Sequence, residues 1–185
     1  RQILEIREQM ERRMGLQIQN KPEAEILAQQ IRAIEIDTYL VGYKQCAVSD
    51  GCLHPKTILD AKFSTPYSVS AAFLYGTVGM EQFESEVVFD PAVQNLLEKV
   101  TVHPSDRFTE QYPKHWGCHV KATMQDGTVY EVEVKDPSGS VARPLSREQA
   151  MKKAEEFLSV VCPGRETETI EELLNLESRN MLPSI

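Results

Sequence analysis

The sequence predicts an α+β fold, a two-layer sandwich in which a mainly antiparallel sheet of about four strands carries helices on one face. Several short segments alternate apolar and polar residues, as strands do when one face of a sheet is covered. Asp126-Gly127 separates two of these segments, and this dipeptide is typical of a β-hairpin. Longer segments repeat apolar residues at helical spacing, which supplies the second layer.

The chain opens with a predicted helix that ends at Gly15. Charged residues separate the members of its apolar stripe, which are Ile3, Ile6, Met10 and Met14. A polar connection containing Pro22 follows, with room for one or two helical turns. Because the stripe must pack against something, we expect it to lie on the sheet or on a part of the protein outside this sequence.

The first strand is predicted over residues 31–39. Two alternating sets define it, Ile34, Ile36 and Thr38 against Glu35, Asp37 and Tyr39. Residues 41–55 show no regular period and are predicted to form a loop. Loops of that length in compact domains are usually functional or mobile.

Residues 56–79 are predicted to contain a short and almost wholly buried helix. Ser64 or Thr65 caps its start, and Pro66 suits the first turn, where the N–H that proline lacks is not needed. A run of small apolar residues follows, and a glycine ends the helix. This prediction places Tyr67 in the first turn.

Two further helices are recognised by their start signals. Asp90 is a predicted N-cap with Pro91 in the first helical position, and a strand follows over residues 99–102. Ser146 and Gln149 form a predicted capping box. The helix that they open carries an apolar stripe of Ala150, Ala154, Phe157, Leu158 and Val161. A final short helix covers residues 169–175, and we expect the last residues to be frayed.

The hairpin arms are predicted over residues 115–124 and 128–135. We expect a type I′ turn at Asp126-Gly127, since both central positions of that turn require positive φ. The core-facing residues are predicted to be Val120, Ala122 and Met124 on one arm, and Val129 or Tyr130 with Val132 and Val134 on the other.

We assign residues 1–30 to an N-terminal helix and connection, 31–162 to the α+β domain, and 163–185 to a C-terminal short helix and tail. The sequence begins at Arg1, inside a predicted helix. We therefore expect a fragment or processed product of a longer protein.

Composition excludes several classes of function. A net charge of −8 argues against a nucleic-acid partner, because such proteins usually present a basic face. No apolar run approaches the roughly 20 residues of a membrane span, and no secretory signal is visible. The four cysteines, too few for a disulfide scaffold, are expected to be reduced thiols in a cytoplasmic protein.

The central stretch also carries a resemblance. Lys62-Phe63-Ser64-x-Pro66-Tyr67-Ser68-Val69, followed by Gly76-x-Val78-Gly79, resembles the central motif of the MmgE/PrpD family. Three further pieces stand in the family's order: Asp90-Pro91-x-Val93 through Lys99-Val100, Asp126-Gly127, and Pro144-Leu145-Ser146-Arg147-Glu148. The resemblance covers roughly residues 30–160.

The resemblance implies the smaller α+β domain of an enzyme that acts on a short di- or tricarboxylic acid without a metal or an organic cofactor. The expected activity is that of a 2-methylcitrate dehydratase-like hydro-lyase, with iminodisuccinate epimerase or cis-aconitate decarboxylase activity as alternatives. Family members place a helical domain that holds the main acid–base residues ahead of the matched region. We therefore expect this chain to be inactive alone, to need that helical domain as a partner, and to belong to a homodimer.

Tyr67 is the predicted catalytic residue, because family members use a tyrosine at this motif position in a pocket between two domains. A phenol there donates to a substrate carboxylate or delivers a proton. Lys62 and Ser64 are the predicted substrate-binding residues, since an ammonium group and helix N-terminal N–H groups suit anions. The alternatives are a core tyrosine with a satisfied hydroxyl, a solvated lysine, and a serine that only caps its helix. A Tyr67 hydroxyl sealed in the core would count against catalysis.

Histidines and cysteines are the candidate metal ligands of the sequence. His115-x-x-Cys118-His119 lies on a predicted strand, where the three side chains do not all face one side. Cys46, Cys52 and His54 add no Cys-x-x-Cys pair. We predict no metal site.

A second hypothesis is a non-catalytic binding or assembly module. It depends on the first helix, whose apolar stripe would then be exposed as a docking surface for a partner.

Overall fold

The computed structural model describes residues 2–176. The chain divides into two compact units, Arg1–Asp136 and Pro137–Ile185. No helix within the described residues combines the length and the apolar character needed to cross a bilayer. The domain boundaries predicted from the sequence stay a prediction.

The first unit begins with helices α1 (Gln2–Met14) and α2 (Lys21–Gln29), which lead into strand β1 (Ile31–Thr38). Next come α3 (Leu40–Cys46), α4 (Asp50–Leu53), α5 (Ile58–Lys62) and α6 (Thr65–Tyr75). A short 3-10 turn over Glu81–Phe83 precedes α7 (Ser85–Val88), α8 (Pro91–Leu97) and strand β2 (Val100–Pro104). Helix α9 (Asp106–Thr109) then leads to the hairpin of β3 (Cys118–Met124) and β4 (Val129–Val134).

The four strands form one sheet in the order β2-β1-β3-β4. β1 runs parallel to β2 and antiparallel to β3, and β3 and β4 are antiparallel. The register places Ile36 beside Val102 on one side and Val120 on the other. The predicted α+β class with a mainly antiparallel sheet is confirmed.

One face of the sheet is apolar and the other is charged. Helices α1 and α6 pack on the apolar face, and α2 and α8 pack on α6. The buried residues of that face include Ile34, Ile36, Val120, Ala122 and Tyr130. On the opposite face the Lys121 ammonium pairs with the Glu35 carboxylate at 2.9 Å. Helices on one face and solvated ion pairs on the other make the predicted two-layer sandwich.

Helix α1 belongs to this core. Ile3, Ile6 and Met10 are buried, and the Arg7 guanidinium donates to the Phe73 carbonyl of α6 at 2.7 Å. The expectation that the apolar stripe of the first helix lies on the sheet is confirmed, because α1 packs on β3 and β4. The exposed stripe on which the hypothesis of a binding or assembly module depends is wrong, since only its last member, Met14, is exposed.

The prediction of a loop over residues 41–55 is also wrong, because α3 and α4 occupy most of that segment. Each is short, with seven and four residues, so neither gives a clear helical period in the sequence. Local capping helps to form α4, because the Ser49 hydroxyl accepts a hydrogen bond from the Cys52 N–H at 3.2 Å.

The hairpin is confirmed, but the expected type I′ turn is wrong. Gly127 has a φ of 84°, whereas Asp126 does not have positive φ. The Gly127 N–H donates to the Met124 carbonyl at 3.1 Å, and the Thr128 N–H donates to the Asp126 carboxylate at 2.8 Å. Asp126 therefore stabilises the turn through its side chain. On β4, Tyr130 rather than Val129 faces the core.

The second unit contains α10 (Arg147–Val161) and α11 (Glu166–Leu174), which pack on each other. The predicted capping box of Ser146 and Gln149 is present at the start of α10. No residue of α10 is buried, and Phe157 and Val161 of its predicted stripe are exposed. The predicted frayed end falls on residues 177–185, outside the described residues.

Candidate functional site

Helix α6 is the element on which the candidate site is built. Ser64 caps it by accepting a hydrogen bond from the Tyr67 N–H at 3.0 Å, and Pro66 occupies its first turn. Gly76 ends it with a φ of 75°, a conformation that glycine adopts without steric cost. The predicted cap, proline position and glycine stop are confirmed. With Ser64 as the N-cap, Thr65 is the first residue of the helix.

Tyr67 points into the core. Its side chain is 0% exposed, and its hydroxyl donates to the main-chain carbonyl of Gln82. Burial raises the pKa of Tyr67 to about 12, with smaller contributions from Tyr75 and Asp90. This is a core tyrosine with a satisfied hydroxyl, the alternative left open above. The geometry counts against direct catalysis by Tyr67, and that role stays a prediction.

A cavity of about 350 Å³ lies between the start of α6, the sheet and the first turn of α1. Its exposed mouth is formed by Lys62, Phe63 and Val78. Its buried apolar floor is formed by Ile3, Ile36, Ala72 and Val120. Between mouth and floor stand the half-buried residues Gln2, Cys46, Thr65, Ser68, Val69 and Cys118. The volume is at the lower end of the range for small-molecule sites.

The polar groups at the mouth end are available to a ligand. Within residues 2–176, the Lys62 ammonium and the hydroxyls of Thr65 and Ser68 make no hydrogen bond or ion pair. The main-chain N–H of Thr65 has no acceptor there either. The start of a helix also carries the positive end of its dipole. A cation and several donors at one helix start suit a carboxylate.

Ser64 lines the same cavity, but its hydroxyl is already used. It donates a hydrogen bond to the Cys52 carbonyl and accepts a hydrogen bond from the Tyr67 N–H. A ligand carboxylate would have to displace the bond to Cys52. The structure thus brings Lys62 and Ser64 together in one cavity without Tyr67. The geometry supports the capping role of Ser64, and its substrate-binding role stays a prediction.

Two thiols complete the titratable groups in the cavity wall. Burial raises the pKa of both Cys46 and Cys118 above the ordinary thiol value. Among the described lining residues, these thiols and the Lys62 ammonium are the groups that titrate. None is a carboxylate or an imidazole, the usual general bases near neutral pH. The ionisable groups of the described cavity wall are thus one ammonium and two thiols.

The three residues of the His115-x-x-Cys118-His119 segment point in different directions. The His115 imidazole bonds to the Asp136 carboxylate at 3.0 Å, and the His119 Nδ1 atom lies 3.7 Å from an Asp37 oxygen on the charged sheet face. Cys118 instead lines the cavity on the opposite face. Over the described part of the chain, no three histidine, cysteine, aspartate or glutamate side chains converge well enough to hold a metal ion.

A comparison with known protein families shows the family to which this chain belongs. Residues 4–177 match the family described as the MmgE/PrpD C-terminal domain. The chain belongs to the MmgE/PrpD family. The resemblance to this family is thereby confirmed.

Curated MmgE/PrpD relatives are similar to parts of the chain. Cis-aconitate decarboxylase of Mus musculus is 31% identical over 103 residues, which cover 54% of this chain and 20% of that protein. Mitochondrial 2-methylcitrate dehydratase of Yarrowia lipolytica is 31% identical over 78 residues, or 40% of this chain and 15% of that protein. The cis-aconitate decarboxylase-like protein oryM of Aspergillus oryzae is 28% identical over 126 residues, or 67% and 26%.

The matches thus span between 15% and 26% of the length of these relatives. Two of the names describe decarboxylation and one describes dehydration, so they divide between the reactions expected for an MmgE/PrpD protein.

Sequence reasoning missed two polar residues of this MmgE/PrpD cavity, Thr65 and Ser68. The signal was present, because positions three apart on a helix share a face and Thr65 follows the N-cap directly. The residues of the floor could not be found in this way. Ile36 and Val120 are far apart in the sequence and become neighbours only when β1 and β3 pair.

Proposed function

We propose that this chain is the smaller, C-terminal domain of a cofactor-independent MmgE/PrpD enzyme that acts on a small di- or tricarboxylic acid. Dehydration of the kind named for 2-methylcitrate dehydratase is the first candidate reaction. Decarboxylation is the second, because two of the similar proteins carry that name. Epimerisation stays an alternative.

The mouth of the cavity carries the proposal. Lys62, the Thr65 N–H and the hydroxyls of Thr65 and Ser68 surround one opening at the start of α6, and no described group neutralises them. A carboxylate placed there gains a cation, up to three hydrogen-bond donors and the helix dipole. These are the interactions that a carboxylic acid substrate requires.

In this proposal the chain binds and orients the acid, and another part of the enzyme performs the proton transfers. Dehydration needs a base for the carbon-bound proton and an acid for the departing hydroxyl. The described lining residues offer neither a carboxylate nor an imidazole. We therefore expect no turnover from this chain alone and infer that an upstream helical segment of the same protein supplies those groups.

The binding step is tested with the chain itself. Succinate and citrate are titrated at constant ionic strength while amide chemical shifts are followed by NMR. We expect shifts at Thr65 and Ser68 and a Kd in the millimolar range. Lys62→Met should weaken binding about five-fold, the effect of an exposed ion pair worth about 1 kcal/mol.

Lys56 is the matched control. It lies six positions earlier and outside the cavity, and its ammonium already pairs with the Asp50 carboxylate at 2.7 Å. Lys56→Met should therefore leave the Kd unchanged. Equal effects of the two substitutions, or no shift at Thr65, would contradict the proposed anion site.

The division of labour is tested by turnover. The chain alone, the upstream segment of the parent gene alone, and the two together are assayed for dehydration of 2-methylcitrate and decarboxylation of cis-aconitate. Activity that requires both pieces supports the proposal. Activity of this chain alone would contradict it.

A further inference from the structure

The wall that α6 gives to the cavity changes character along the helix axis. Thr65, Ser68, Val69 and Ala72 all line the cavity, and their spacing puts them on one face of α6. The first two are polar and the last two are apolar. At 1.5 Å per residue, the distance along the axis from Thr65 to Ala72 is about 10 Å. One side of the site thus runs from hydrogen-bond donors to hydrocarbon.

The sheet continues the apolar end. Ile36 of β1 and Val120 of β3 are paired neighbours, and both line the floor together with Ala72 of α6 and Ile3 of α1. Each is at most 4% exposed. No charged side chain is among the described residues of this floor. A second carboxylate placed there would lose its hydration without a partner, which is costly.

We infer that the site takes a carboxylic acid that carries a short unbranched alkyl arm, with the carboxylate at Lys62 and the arm along α6 toward Ala72. This inference rests on the proposed function and specifies its substrate class. Any further carboxylates of the bound acid project out of the mouth toward solvent, where Lys62 and Phe63 are exposed. The floor therefore selects for an alkyl substituent, and the mouth selects for charge.

The alkyl arm has a measurable effect on affinity. Burying one methylene contributes about 0.8 kcal/mol, which is roughly a four-fold change in Kd. The series acetate, propionate and butyrate should therefore tighten by roughly ten-fold or more from first to last. Succinate has the chain length of butyrate but carries a second charge at the far end, and it should bind at least ten-fold more weakly than butyrate.

Two variants of the full chain test the floor. Ala72→Leu fills it from the buried side, and Val69→Phe fills it from a half-buried position that tolerates a larger side chain. Each should abolish the gain from acetate to butyrate. Val129→Phe, at an exposed position of β4 outside the cavity, is the control and should preserve the whole series.

The outcomes separate this inference from the proposed function. If acetate, butyrate and succinate bind with the same Kd and Lys62→Met weakens that binding, the role of the apolar floor is contradicted. The proposed anion site is then still supported. Chain-length dependence that survives Lys62→Met but not Val69→Phe supports the floor and contradicts the role of Lys62. Absence of binding by all of the acids at 50 mM overturns both. Loss of folding in Ala72→Leu leaves the decision to Val69→Phe.

Discussion

The Tyr67 hydroxyl donates its hydrogen bond to the main-chain carbonyl of Gln82, and both residues are buried. The Gln82 side chain in turn accepts a hydrogen bond from the Gly79 N–H at 2.8 Å. These bonds join the first turn of α6 to the segment that carries Val78 at the mouth of the cavity. In this geometry the hydroxyl of Tyr67 holds the first turn of α6 against the segment at the mouth.

Tyr67→Phe separates the two roles. We expect a loss of about 2 kcal/mol in the free energy of unfolding, since the buried Gln82 carbonyl loses its donor. In the complete enzyme, kcat/KM should change by less than about three-fold, whereas loss of a proton donor costs about 100- to 10,000-fold. Urea denaturation and steady-state kinetics measure the two effects.

Tyr43→Phe is the control for this substitution. Tyr43 packs against the same core, and its hydroxyl has no hydrogen-bond partner within the described residues. Its loss should cost less than about 0.5 kcal/mol. A drop of two orders of magnitude in kcat/KM for Tyr67→Phe, at full folding, would restore Tyr67 as a catalytic residue.

Asp90 gives a pH-dependent test of the packing around α6. Its carboxylate accepts from the Tyr75 hydroxyl at 2.8 Å, pairs with Lys21 at 2.7 Å, and caps α8 through the Ala92 N–H at 2.9 Å. Burial alone would raise the pKa of Asp90, but the hydrogen bonds from Lys21 and Tyr75 outweigh it, so the pKa lies below the ordinary value.

A lowered folded-state pKa means that the contribution of Asp90 to stability is present above the unfolded pKa of about 3.9 and is lost as pH falls through the folded value. Asp90→Asn keeps a good N-cap and removes the charge. We expect it to cost about 1 kcal/mol at pH 7, with the difference from the unsubstituted chain shrinking as pH falls below the unfolded pKa. Urea titrations at several pH values check this, with exposed Asp106→Asn as the control. A difference that does not shrink at all as pH falls from about 5 to about 2 would contradict the charge as its origin.

Ser70 has a buried hydroxyl without a hydrogen-bond partner among the described residues. An unsatisfied buried hydroxyl destabilises the fold, and alanine is also the better helix former. Ser70→Ala should therefore raise the free energy of unfolding by about 1 kcal/mol. Ser68→Ala on the same helix controls for helix propensity and should give a smaller gain, because Ser68 is only half-buried. A destabilised Ser70→Ala would mean that its hydroxyl is in fact satisfied.

The elements that the sequence predicts well are those with local signals. Ser64, Pro66 and Gly76 set the bounds of α6 through caps and a turn that involve only near neighbours in the chain. Asp90 with Pro91 does the same for α8. These helix boundaries follow from residue type and spacing alone, so the capping residues in the sequence are enough to predict them.

The parts that the sequence did not predict depend on distant contacts. The partner of Tyr67 is a carbonyl fifteen residues away in the short 3-10 turn, and no residue type in the sequence indicates this contact. The apolar floor depends on the pairing of Ile36 with Val120, which requires the register of two strands. A motif could therefore place Lys62 and Tyr67 close together in the chain, but not decide that one lines the cavity and the other faces the core.

The cavity thiols report directly on whether a ligand occupies the site. Burial raises the pKa of Cys46 and Cys118, so iodoacetamide should react slowly at pH 7, with rates that rise about ten-fold per pH unit up to the thiol pKa. Butyrate at saturating concentration should slow alkylation of both, because they line the cavity that it fills.

Cys162, a buried thiol of the second unit, is the internal control and should react at the same rate with and without butyrate. Mass spectrometry of the cysteine peptides gives each rate separately. Equal slowing of all three would indicate general stabilisation of the fold, whereas no slowing of Cys46 and Cys118 would place the ligand outside this cavity.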